Sequence, residues 1–87
     1  MVTAPFNVSA SGQVFTGSGY LQGAVLVAGS ADAVLTLRDG TSSAGSVIAK
    51  LAAKAGDSRP LTAVKIPFAT GLFAEISGTG AAAVVYV

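Results

Sequence analysis

Residues 33–54, AVLTLRDGTSSAGSVIAKLAAK, carry the pattern that decides the fold. Ala33, Leu35 and Leu37 alternate with Val34, Thr36 and Arg38, the period-two signature of a strand with one buried face. Residues 39–45 form a polar loop too long for a two-residue hairpin turn. Its Asp39-Gly40 pair supports a tight bend, because glycine reaches positive φ without a Cβ clash. Residues 46–54 then read as a returning strand, with Val47, Ala49, Leu51 and Ala53 on one face and Ile48, Lys50, Ala52 and Lys54 on the other. Ala and Lys also favour a helix over residues 47–55. The flanking β pattern and the bounding glycines select the strand.

The same grammar extends both ways. Upstream, residues 7–16 read as a strand broken by Gly12, and Gly17-Ser18-Gly19 as a turn. Residues 20–28 follow as a strand with Leu21, Gly23, Val25 and Val27 on one face and Tyr20, Gln22, Ala24 and Leu26 on the other. Downstream of the hairpin, residues 55–60 are a polar connection and residues 61–66 a strand ended by Pro67, which lacks the N–H a ladder needs. Residues 72–77 place Leu72, Ala74 and Ile76 inward, and residues 81–87 close the chain after the Gly78-Thr79-Gly80 turn. Short β-prone runs at roughly eight-to-twelve-residue spacing predict an all-β, single-domain β-sandwich or barrel of about seven to eight short antiparallel strands.

Composition limits what such a domain does. The chain has 87 residues, 52% hydrophobic and 10% charged, with a formal net charge of +1. One domain is all that length supports, and soluble domains carry about 25% charged residues. Residues 1–31 and 76–87 contain no charged side chain at all. A membrane-crossing helix needs roughly 20 consecutive apolar residues. The best stretch, residues 20–31, is interrupted by Gln22, Gly23, Gly29 and Ser30. Residues 1–6 lack the basic and apolar regions of a cleaved leader. The expectation is a soluble chain without membrane contact. So little charge leaves a monomer with a sticky surface, which points to a subunit that covers itself with partners. An abundance of Ala and Gly, inflating the apolar count, explains the composition equally well.

The chemistry-bearing residues are few. There is no His and no Cys, which removes most nucleophile–base pairs, zinc sites and thiol chemistry. Of four carboxylates, Asp32, Asp39 and Asp57 fall in turns, where Asp bonds locally to backbone, and Glu75 lies on an outward face. Paired acid–base catalysis is therefore not expected. A Ser–Lys dyad drawn from Ser42, Ser43 or Ser46 with Lys50 or Lys54 reads more simply as turn serine. A calcium loop at residues 39–43 has one acid where several are needed. Gly17-Ser18-Gly19 and Gly78-Thr79-Gly80 lead into no helix and carry no following Lys, so neither cradles phosphate. Arg38, Lys50 and Lys54 on one hairpin are too few for a nucleic-acid stripe and suit edge protection. Tyr20, Phe73 and Tyr86 are the candidates for sugar stacking; Phe6, Phe15 and Phe68 read as core or inter-subunit anchors. No catalytic, cofactor-binding or metal residues are assigned.

The run GYLQGAVLVAGSADAVLTLRDGTSSAGSVIAKLAAKAG (residues 19–56), with PFATGLFAEISGTGAAAVVYV (residues 67–87), resembles small virion proteins of tailed bacteriophages. The shared pattern is a strand ending in Asp-Gly-Thr, a Ser/Gly loop and an apolar strand, then Phe-x-Thr-Gly-Leu-Phe, a Ser-Gly-Thr-Gly turn and a terminal Val/Tyr strand. The resemblance implies a jelly-roll-like β-sandwich body over residues 19–87, preceded by an N-terminal arm and first strand over residues 1–18. It also implies a non-enzymatic structural protein of the virion, assembled in the host cytoplasm. The leading expectation is a capsid decoration or cement subunit on the capsid surface, a homotrimer that holds major capsid proteins together. A tail, neck or fibre-associated subunit and a host-glycan module are the alternatives. Pro5, Phe6, Phe15 and Tyr20 are the expected interaction residues, with residues 1–6 either reaching a neighbour or folding back onto their own sandwich.

Overall fold

The computed structural model describes residues 5–61 and 64–87. Ten strands follow one another among these residues: β1 (Pro5–Val8), β2 (Gly12–Thr16), β3 (Gly19–Leu21), β4 (Gly23–Val27), β5 (Ala33–Asp39), β6 (Ser46–Ala53), β7 (Ser58–Leu61), β8 (Ile66–Phe68), β9 (Gly71–Ser77) and β10 (Ala82–Tyr86). They pair as a first sheet in the order β1-β10-β4-β7 and a second in the order β2-β9-β5-β6, with β3 and β8 forming a short ladder of their own. Every pairing is antiparallel.

The expected seven to eight strands become ten because two passes are each cut in two. Taking β3 with β4 and β8 with β9 as single passes leaves eight, and these nest. First pairs with last (β1·β10), second with seventh (β2·β9), third with sixth (β4·β7) and fourth with fifth (β5·β6). A long hairpin rolled up in this way is a jelly roll, two four-stranded sheets face to face. The fold is thus a small jelly-roll β-sandwich.

Its core is aliphatic. Leu21, Leu26, Leu35, Leu37, Leu72 and Val85 are fully enclosed between the sheets, and no polar or charged side chain is buried among the described residues. The inward positions foreseen for β5 (Ala33, Leu35, Leu37) and the start of β9 (Leu72, Ala74) are all buried.

Elsewhere the phase differs from the sequence reading. At Gln22 the chain leaves the β3·β8 ladder for the first sheet, and the alternation slips by one residue. Ala24 and Leu26 are therefore buried, while Val27, expected on the same face as Leu21, is 47% exposed. In β6 a bulge opposite Leu37 and Arg38 absorbs Ile48, so Val47 turns outward while Leu51 and Ala53 stay inside. A bulge shifts every residue beyond it by one position.

The run 7–16 is two strands in opposite sheets, and Gly12 opens β2 instead of breaking a single strand. Residues 58–61, expected mainly as loop, form the edge strand β7 opposite β4. Ser58, Arg59 and Pro60 are polar or ladder-breaking residues that an edge tolerates because one side has no partner to satisfy. The expected strand over residues 61–66 does not form as one element: Leu61 ends β7 and Ile66 begins β8, with Thr62 and Ala63 outside the described residues. Pro67 lies within β8, opposite Tyr20, rather than after a strand.

Candidate interaction surfaces

The N-terminal segment settles part of its own alternative. Residues 1–4 lie outside the described residues, but from Pro5 onward the chain folds back as β1 along β10, register Pro5 with Tyr86 and Phe6 with Val85. Phe6 packs edge-on against Phe15, ring centroids 6.3 Å apart. Phe15 packs in turn against the buried Phe68 at 5.8 Å. The three rings form a continuous row linking β1, β2 and β8, the geometry that aromatic quadrupoles favour. Phe6 and Phe15 are each half-buried in that row.

Tyr20 stands apart. It is 44% exposed, with the Lys65 ammonium 4.8 Å from its ring centroid, a cation–π contact. Tyr20 also lines a shallow depression of about 660 Å3 with Asp39, Pro67 and Phe68. Tyr86 and Phe73, the other sugar-stacking candidates, lie on the outer faces of the first and second sheets respectively. Phe73 and Tyr86 lie on opposite sides of the sandwich, so the three aromatics build no common platform.

Several polar residues hold turns. Asp39, at the end of β5, accepts hydrogen bonds from the Ala69 and Thr70 amides at 3.0–3.1 Å. Hydrogen bonds donated by the Thr70 and Ala69 backbone hold its carboxyl below the usual carboxylate range, since they favour the charged form. Asp32 accepts from the Ala55 amide at 2.9 Å. Gln13 was not singled out by its sequence. Its side-chain amide, standing at the β2 bulge, donates to the carbonyls of Phe15, Gly40 and Leu72. A Cβ at Gly71 would sit 2.7 Å from that amide nitrogen, so the clamp requires glycine there.

Ser46 and Lys50, one of the Ser–Lys pairs weighed, stand apart. Ser46 and Lys50 are four residues apart along β6, roughly 13 Å at about 3.3 Å per residue, and Ser42 Oγ accepts from the Ala44 amide within its own turn. No group of three or more His, Cys, Asp or Glu able to hold a metal ion occurs among the described residues.

The outer faces of the two sheets differ in kind. On the second, Arg38 forms an ion pair with Glu75 and donates to the Gly45 carbonyl at 2.9 Å. Lys50 faces Thr36 across the β5·β6 ladder. On the first, register and burial place Val25 and Val27 outward from β4, and Ala82, Val84 and Tyr86 outward from β10. Asn7 flanks them on β1, and Ser58 and Pro60 on β7. None of these side chains is charged. Near the β1 side, Asn7, Val27, Ala82 and Val84 border an apolar depression of about 310 Å3.

This face was not foreseen, although its signal was present. β1, β4 and β10 all come from the two charge-free segments, residues 1–31 and 76–87, and the topology sets the three strands side by side. Comparison with known protein families, curated proteins and solved structures finds no match.

Proposed function

We propose that this chain is a non-enzymatic structural subunit of a tailed-phage virion, foremost a capsid decoration or cement protein. The observation that carries the reading is the uncharged outer face of the first sheet on a jelly-roll sandwich. A rigid sandwich with a dry face gains about 25 cal/mol per Å2 of apolar area removed from water. Repetition over a lattice turns modest single contacts into firm attachment. Jelly rolls also serve as lectins and enzymes, so the fold by itself does not select the role. The resemblance of residues 19–56 and 67–87 to phage virion proteins supplies that selection. The major capsid protein is the partner this reading requires.

The test is co-sedimentation of purified chain with phage capsids, before and after expansion, and separately with tails. Saturable binding to capsids supports the cement role. Binding to tails alone moves the subunit there, and binding to neither particle overturns the virion reading.

A further inference from the structure

We infer that the depression lined by Tyr20, Pro67 and Asp39 is a binding site for one neutral sugar ring, a hydroxyl-rich pyranose. The first argument is the floor. β3 and β8 stand outside both four-stranded sheets as a ladder of their own. Its register sets Tyr20 directly opposite Pro67, and both are exposed, whereas their neighbours Leu21 and Phe68 are buried. Successive strand residues point to opposite faces, so the outward side of this ladder presents two ring side chains next to each other. The hollow they line measures about 660 Å3, within the roughly 300–1,000 Å3 of small-ligand sites.

The second argument is the polar partner. Asp39 and Ser18 line the same hollow. The Ala69 and Thr70 amides that Asp39 accepts from do not exhaust the roughly four acceptor sites of a carboxylate. An ionised carboxylate only accepts, so the ligand has to bring donors. The face of an aromatic ring is electron-rich and attracts polarised C–H groups. A pyranose supplies both, with C–H groups on its faces and hydroxyl donors around its edge.

The third argument selects a neutral ligand. Among the described residues lining the hollow, Asp39 alone is charged, so an anion meets a like charge there. A cation finds the Tyr20 ring already served by the Lys65 ammonium, 4.8 Å from its centroid, and is repelled by it. A neutral, hydroxylated ring meets neither penalty. One shallow site of this kind holds a monosaccharide with a Kd of about 1–10 mM, and display on many copies multiplies that. The inference does not rest on the virion reading. None of the outward residues of the first sheet lines this hollow, and a failure to bind capsids leaves the inference standing.

The experiment is an NMR titration of backbone amides with D-glucose, D-galactose, D-mannose and N-acetyl-D-glucosamine, each also as its methyl glycoside. D-glucuronate and tetramethylammonium are the charged probes. The expected result is saturable binding of at least one neutral sugar, with shifts centred on the amides of Tyr20, Ala69 and Thr70. This map locates the site on the wild-type chain without any variant. Tyr20→Ala weakens binding about tenfold or more, Tyr20→Phe keeps it, and Phe73→Leu, on the outer face of the second sheet, behaves as wild type. Circular dichroism verifies the fold of each. Binding of the methyl glycosides marks a site for glycan ends, and binding of the free sugars alone marks one for monosaccharides; either supports the inference. It is overturned if no neutral sugar binds, if the shifts lie elsewhere, if a charged probe binds at the hollow as tightly as any neutral sugar, or if a folded Tyr20→Ala binds like wild type.

Discussion

The two sheets of this sandwich share one core and present opposite exteriors. Inside, Leu26 of the first sheet and Leu35 of the second are equally enclosed. Outside, the second sheet carries an ion pair and a lysine, while the described outward side chains of the first are all uncharged. Burial alone requires only that inner faces be apolar, and both comply. Nothing in folding requires an outer face to shed its charges, and solubility argues against it. The contrast separates what stability demands of the inner faces from what it leaves free on the outer ones, and the proposed contact falls on the uncharged side.

The largest effect tests whether the cores are as equal as they look. Leu26→Ala and Leu35→Ala should each cost about 2–5 kcal/mol, from lost transfer energy and the cavity left behind. A domain of this size has roughly 4–13 kcal/mol in all, at about 0.05–0.15 kcal/mol per residue. Urea denaturation of both variants measures this. A large loss for Leu35 with little for Leu26 would show that the first sheet does not belong to the cooperative core.

A smaller effect should appear in acid, on the second sheet's side only. The folded-state pKa of Asp39 is lowered, so its contribution is complete above the ordinary carboxylate value of about 3.9. It is lost as pH falls through the lower folded value. Hydrogen exchange below pH 4 should rise first at Ala69 and Thr70, whose amides Asp39 holds. Exchange at β10 and β4, where there is no carboxylate to protonate, should not change in step. In Asp39→Asn the acid-induced rise should vanish.

The smallest effect belongs to the charges that distinguish the exteriors. Arg38 and Glu75 keep 25% and 33% of their side-chain surface exposed, and such pairs contribute about 0–1 kcal/mol. Glu75→Gln should therefore shift the urea midpoint only slightly, and the shift should shrink at 1 M salt, where screening acts over about 3 Å. A loss several times larger would mean that the charged face is built for stability, and the contrast with the uncharged face would then need a different reading.

Much of the architecture was legible along the chain. β5 follows from strict alternation, β6 and β9 lie where their β-prone runs place them, and the turns follow from their Gly, Ser and Asp residues. The slip at Gln22 and the bulge at Ile48 were not legible, because a one-residue phase change leaves composition untouched and is fixed only by which strand lies opposite. Strand β7 escaped for a related reason: Ser58, Arg59 and Pro60 have loop chemistry, and their role as an edge depends on β4 being alongside. The row Phe6–Phe15–Phe68 spans residues far apart in sequence, so only the fold could bring its rings into contact.

The sequence by itself determined an all-β domain, an aliphatic core and two charge-free segments at the start and end of its 87 residues. These are local properties, set by alternation, turn chemistry and composition. Only the tertiary structure decided that those segments lie side by side as β1, β10 and β4. Rolling a long hairpin pairs its first pass with its last, and that long-range pairing turns two distant runs of uncharged residues into one continuous face.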